Sequence, residues 1–158
     1  MKNKIALFLA VIILCLLFAG CASHKDSGDA YMDYALDAHG YCLFANRELT
    51  AILNQLSTQM LMAQEVKDGY DAISTKAGAK ESLIAIQEAH ERIYAMPAPD
   101  EYRTNRENTL RIIELVEQDM QSFIDVLDAP NIERLDEISK SMQSNFIALT
   151  AEFNIYYK

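Results

Sequence analysis

Read backwards from the carboxyl end, apolar side chains recur at steps of three and four: Leu135, Ile138, Met142, Phe146, Leu149, Phe153 and Tyr156. That period draws one apolar stripe along a helix, predicted over about 131–157. Pro130 suits its first turn, and Asp128 or Asn131 suits its cap. The segment before it repeats the pattern with Tyr102, Arg106, Thr109, Ile113, Val116, Met120, Phe123 and Leu127. This predicts a helix over about 100–128, with Asp100 as its N-cap. Glu107 with Arg111, and Asp136 with Lys140, are acid-before-base pairs at i, i+4 that suit the exposed faces of these two helices.

Further upstream, Leu49, Ile52, Leu56, Met60, Ala63 and Val66 mark a first helix, extended backwards by Tyr31, Tyr34, Ala38, Tyr41 and Ala45. Gly40 lies inside it and weakens it locally. Lys67-Asp68-Gly69 reads as its C-terminal stop. A break around Gly78 is the competing placement. Leu83, Ile86, His90 and Ile93 then define a second helix that must end before Pro97. Four long helices, each with one apolar stripe and joined by short turns, predict an all-α, antiparallel up-down-up-down four-helix bundle.

That topology gathers seven of the eight tyrosines at one end: Tyr31, Tyr34, Tyr41, Tyr94, Tyr102, Tyr156 and Tyr157, with Tyr70 at the other. His39, Cys42, His90 and Arg106 are expected a turn or two deeper at the same end. One reading is plain packing, with large rings filling the mouth and hydroxyls kept in water. The other is a ligand pocket lined by His90, Arg106, His39, Tyr41 and Tyr102. His90 and Arg106 are its leading candidates, because each stands on a stripe where a plain core would place leucine. For each residue taken singly, the packing reading is a histidine satisfied by a tyrosine or carboxylate and an arginine snorkelling to the surface.

The first twenty residues are of a different kind. Lys2 and Lys4 precede an uncharged apolar stretch from Ile5 to Gly20, which closes as Leu17-Phe18-Ala19-Gly20-Cys21. A charged start, an apolar middle and a small-residue close are the three parts of a signal peptide. A bilayer-spanning helix wants roughly 20 apolar residues, and this stretch is shorter. The run into Cys21 resembles the lipobox of bacterial lipoproteins, with Phe18 where leucine is most usual. That resemblance implies cleavage before Cys21 and acyl chains on its sulfur and new amino terminus. One chain holds a protein only marginally, whereas two or three make a lasting anchor. With Ala22 rather than aspartate after the cysteine, the resemblance also implies an outer-membrane destination in a cell with two membranes, and the cell membrane otherwise. The helical layout that follows is similar to other small helical lipoproteins, a likeness of architecture that carries no site residue.

The expected organisation is therefore a cleaved signal peptide over 1–20, a lipidated cysteine with a polar tether over 21–29, and a bundle domain over 30–158. As a flexible coil the tether extends about 15 Å, which keeps the domain near the lipid with its tyrosine-rich end facing it. Removing residues 1–20 leaves 138 residues, enough for one compact core. It also leaves 12 Lys and Arg against 23 Asp and Glu, a formal charge of −11. Such a surface repels nucleic acid and anionic headgroups, so membrane attachment falls to the acyl chains.

Cys15 leaves with the signal peptide and Cys21 is consumed by lipid, so Cys42 has no intrachain disulfide partner and is expected to pack as a small apolar residue. There is no Cys-x-x-Cys-His run for covalent haem. A di-iron bundle needs Glu-x-x-His, and Gln87 and Leu36 stand where the glutamates before His90 and His39 would be. A histidine–methionine haem or copper site is weighed below core packing for Met32, Met60, Met62, Met96, Met120 and Met142. No phosphate loop, nucleophile elbow or zinc-protease helix occurs. Glu88 with Glu91 and Glu133 with Glu137 are spaced for solvated faces. The sequence thus predicts a protein that binds rather than catalyses, without a cofactor, whose partner is a protein of the cell envelope. The alternative is a carrier or sensor of a small ligand, metal or haem.

Overall fold

The computed structural model describes the backbone of residues 27–157 and the side chains of residues 35–157. The expected signal peptide, Cys21 and the tether as far as Asp26 lie outside the described residues, as do the side chains of Tyr31 and Tyr34. The bundle described below is the compact unit that begins at Asp37.

Four helices follow one another: α1 (Ser27–Lys67), α2 (Ala72–Ala95), α3 (Arg103–Val126) and α4 (Ile132–Asn154). Short 3-10 turns at Asp100–Tyr102 and Ile155–Tyr157 precede α3 and follow α4. Ser27 to Asp29, expected in the coil of the tether, are already helical. Among the described residues no helix is long and apolar enough to cross a membrane.

The turns form where the chain cannot continue as helix. Gly69 takes φ +90°, a left-handed backbone that side chains resist, and its N–H reaches the Val66 carbonyl at 3.1 Å. Asp71 then caps α2 by accepting the Ile73 N–H at 2.9 Å. Gly78, the competing break, lies within α2 instead. A Cβ there would meet Met62 Cε at 2.8 Å, so this glycine makes room for a neighbouring helix. α2 stops at Ala95 because the residue before Pro97 is held extended, with Met96 at ψ 122°.

One expected cap and the place of one proline are corrected. Asp100 does not cap α3, since its carboxylate takes Arg103 and the 3-10 turn makes Tyr102 the cap residue, with no side-chain bond. Asn131 does cap α4, accepting the Arg134 N–H at 2.9 Å, so Pro130 precedes the cap rather than entering the first turn.

Pairs across the seams give the topology. Gln59 bonds Ser82 at 2.6 Å while Glu48 lies 4.0 Å from Arg92, so α1 and α2 run antiparallel. His90 with Glu117 and Ile93 with Arg106 do the same for α2 and α3. Asn145 with Asp119 and Glu152 with Asn105 do so for α3 and α4, and Lys67 with Asp136 and Tyr41 with Tyr156 close the ring between α4 and α1. Asp136 thus bridges helices rather than pairing along its own helix with Lys140.

The core holds the expected stripes: Leu49, Leu56, Ile86, Ile113, Met120, Phe123, Leu135, Met142 and Leu149 are all fully buried. It also holds polar side chains that the stripes did not include, among them Gln59, Ser82, Asn105 and Asn145. On α2 the buried face is mostly small, with Thr75, Ala79, Ser82 and Ala89, and expected Leu83 and His90 are only half-buried.

Candidate functional site

At the end of the bundle where α2 and α4 finish and α3 begins, three tyrosines meet. Tyr41 comes from α1, Tyr102 from the turn before α3, and Tyr156 from the turn after α4. Their ring centroids lie 5.7, 5.9 and 6.0 Å apart, with Tyr102 and Tyr156 stacked at 23° and Tyr41 edge-on to Tyr156 at 61°. Offset and edge contacts of this kind place the positive rim of one ring against the negative face of another.

The hydroxyl of Tyr156 is tied down by Asn105, which is 6 % exposed. Its Nδ2 donates to Glu152 Oε2 at 2.7 Å and to the Glu152 carbonyl at 3.3 Å, which fixes the amide so that Oδ1 accepts from the Tyr156 hydroxyl. The Tyr41 hydroxyl lies 3.5 Å from that of Tyr156. Burial pushes the Tyr41 phenol above its ordinary pKa of 10.0, against a smaller opposing pull from Tyr156 and the Arg106 charge. Burial raises Tyr156 as well, reinforced by its contact with Tyr41. Thr109, one turn deeper on the same face of α3, is 1 % exposed, and its Oγ1 has no hydrogen-bond partner among the described residues.

Arg106 belongs to the rim of this cluster. Its Nε donates to the Ile93 carbonyl at 3.3 Å, Nη2 donates to the Tyr94 carbonyl, and the guanidinium lies 5.5 Å from the centre of the Tyr94 ring. These are the orphan carbonyls at the C-terminus of α2, where a cation also meets the negative end of the helix dipole. The expected choice was between a ligand contact and a side chain snorkelling to water. The arginine is instead an end-cap for a neighbouring helix.

His90 stands apart from the tyrosines, on the seam between α2 and α3. Its Nδ1 donates to Glu117 Oε1 at 2.6 Å, since a carboxylate only accepts. Two open grooves line this seam, of about 310 and 260 Å³, the first flanked by Leu83, Gln87 and Glu117, the second by His90, Glu91 and Tyr94. Glu114 borders both. His39 is exposed on α1, and Cys42, expected in the core, is half-buried with a free thiol. Among the described residues no group of three or more His, Cys, Asp or Glu side chains is placed to hold a metal ion.

Of the five pocket residues expected from sequence, the structure therefore joins Tyr41 and Tyr102 in one cluster, puts Arg106 at its rim, and leaves His90 and His39 elsewhere. Asn105, Glu152 and Tyr156 complete the cluster. Asn105 carried a readable signal, because it falls between Tyr102 and Thr109 at helical spacing and so had to face inward with them. No family model matches the chain, and neither a curated protein nor a solved structure does.

Proposed function

We propose that this chain is a lipid-anchored, extracytoplasmic lipoprotein whose bundle acts as a non-enzymatic binding or scaffold module at the cell envelope. The observation that carries the proposal is the run Leu17-Phe18-Ala19-Gly20-Cys21 behind two lysines and an uncharged apolar stretch. Acyl chains on Cys21 supply the membrane association, and the acidic bundle supplies surface for an envelope protein. Binding through outer faces is favoured by how the polar groups are engaged. His90 and Arg106 hold helix to helix, which leaves the exposed helix faces away from that seam for contact.

Crosslinking in intact cells tests this. A defined envelope protein is expected to be captured by the wild type and equally by His90→Ala and Arg106→Ala, and lost with Cys21→Ser as the protein leaves the membrane. Loss of capture in the first two variants, with the fold intact, would count against a scaffold.

The second reading is a small-ligand carrier or sensor. It is favoured by the aromatic cluster of Tyr41, Tyr102 and Tyr156, and by an unpartnered buried hydroxyl, Thr109 Oγ1, one helical turn along α3 from Asn105. Native mass spectrometry of protein taken from its own host separates the two readings: a bare mass supports the scaffold, and a reproducible added mass supports the carrier.

A further inference from the structure

Charge is spread unevenly around the bundle. The chain carries 23 Asp and Glu against 14 Lys and Arg, yet the stretches Leu49 to Gln64 of α1 and Ser141 to Ala151 of α4 contain none of them. Lys67 with Asp136 and Tyr41 with Tyr156 set these two helices side by side and antiparallel, so the uncharged stretches lie at one level of the bundle. The outward sides of α2 and α3 are by contrast charged, with Lys80, Glu88 and Glu91 on one and Glu107, Arg111 and Glu114 on the other. Leu43, Thr50, Asn54, Ser57 and Leu61 are exposed along the outward line of α1. Leu43 is 58 % and Leu61 67 % exposed, and Ile147 on α4 is 64 % exposed. Arg47 falls on the same line, but it bonds Glu48 at 2.7 Å and lies 5.3 Å from the Phe44 ring, drawn towards the α2 side where Arg92 also approaches Glu48. Thr58 Oγ1 donates to the Asn54 carbonyl at 2.9 Å and Thr150 Oγ1 to the Phe146 carbonyl at 2.7 Å, which turns both hydroxyls back onto their own helices.

We infer that the uncharged α1–α4 face is the docking surface for a second copy of this chain, in a two-fold dimer that lays α1 parallel to its counterpart. Charge selects the occupant. Two copies of formal charge −9 repel each other, and they approach at least cost where neither presents a charge. An oppositely charged protein gains nothing at such a face, whereas a like-charged copy loses nothing there. Spacing selects the arrangement. Leu43, Arg47, Thr50, Asn54, Ser57 and Leu61 follow one another in steps of four and three, the period that keeps one line of a helix turned towards a parallel mate. About a two-fold axis each residue of the line meets its own counterpart. Leu43 and Leu61 then close the two ends of the seam, and Asn54 in its middle meets an amide that both donates and accepts, which fixes the register. The inference goes beyond the scaffold reading and rests neither on it nor on the lipid anchor.

Sedimentation equilibrium of the full chain in excess nonionic detergent tests this. The wild type should be a dimer that tightens as sodium chloride is raised, because salt screens the repulsion between acidic copies and the interface holds no ion pair to weaken. Ser57 is exposed, so a charged side chain there leaves the fold alone and meets its like across the two-fold axis. Ser57→Glu and Ser57→Lys should each weaken association about tenfold or more, and an equimolar mixture of the two should restore it. Gln118→Glu, on the exposed side of α3, should leave the dimer unchanged. A monomeric wild type, Ser57 variants that associate as the wild type does, a mixture as weak as its components, or equal weakening by Gln118→Glu overturns the inference. A monomer whose capture of an envelope protein in intact cells is lost with Ser57→Glu gives the face to that protein and overturns it too.

Discussion

The two ends of the bundle are held by different physics. At the aromatic end, Tyr41, Tyr102 and Tyr156 pack ring on ring and Asn105 ties the Tyr156 hydroxyl to Glu152, largely out of water. At the turn end, Lys67 bonds Asp136, Lys76 bonds Asp128, Gly69 makes the left-handed corner, and Asp71 and Asn131 cap the helices that follow, all with at least one partner in solvent. Buried directional bonds cost a great deal when one partner is removed, because the other is left unsatisfied in a dry site. Exposed ion pairs contribute little and are screened by salt. The aromatic end should therefore be sensitive to single substitutions and indifferent to salt, and the turn end the reverse.

The largest effect is expected from Asn105→Leu, which strands the Tyr156 hydroxyl and the Glu152 carboxylate together. It should lower unfolding free energy by about 2–3 kcal/mol in urea titration. Gly69→Ala comes next, at about 1–2 kcal/mol, because alanine resists a positive φ; no other residue at the turn end should match it. Tyr156→Phe keeps the ring and removes one hydrogen bond, so about 1 kcal/mol is expected. A loss from Asn105→Leu smaller than that from Gly69→Ala would reverse the contrast between the two ends.

Smaller effects separate the ends by pH. Lys67 holds the Asp136 carboxyl below its ordinary range, so the stabilisation is present above the unfolded value near 3.8 and is lost as pH falls through the lowered folded value. Lys67→Met should remove that acid-side slope, read as stability against pH at low salt. The phenols act at the opposite limit. Because Tyr41 and Tyr156 are raised in the fold, their contribution is intact below pH 10.0 and is lost as the unfolded chain ionises above it. Tyr156→Phe should flatten this alkaline limb and leave the acid limb unchanged. Asp119 opposes Asp136: burial raises it despite bonds to Ser141 and Asn145. Its ionisation costs stability at neutral pH, and that cost is relieved as pH falls through the raised value. Asp119→Asn should lower the pH dependence in this window with the sign reversed from that of Lys67→Met.

The apolar period alone was enough for four helices and their antiparallel order, because Leu, Ile, Met and Phe at steps of three and four leave one face to bury. It said less about α2, whose buried face is Thr75, Ala79, Ser82 and Ala89. Small residues add little to an apolar pattern, yet they let α1 come close enough for Gln59 to bond Ser82. Gly69 and Gly78 looked alike as breaks, and only their surroundings separate them: one supplies a backbone angle, the other space for Met62. The candidate site was half legible. Tyrosine count and topology brought Tyr41, Tyr102 and Tyr156 to one end, but the third stripe ran from Tyr102 to Arg106 and Thr109 and passed over Asn105, which the structure buries. Arg106 and His90 were noticed as polar residues on apolar stripes, and their neighbours explain them: free carbonyls at the end of α2 and a carboxylate on α3.

The proposed envelope role depends first on the bundle being carried on a membrane by lipid at Cys21. Its most direct test is the mass of the amino-terminal peptide of the mature protein isolated from membranes of its own host. A peptide beginning at Cys21 and carrying a diacylglyceryl group is expected. A peptide that begins at Met1, or one that begins at Cys21 with a free thiol, would contradict it.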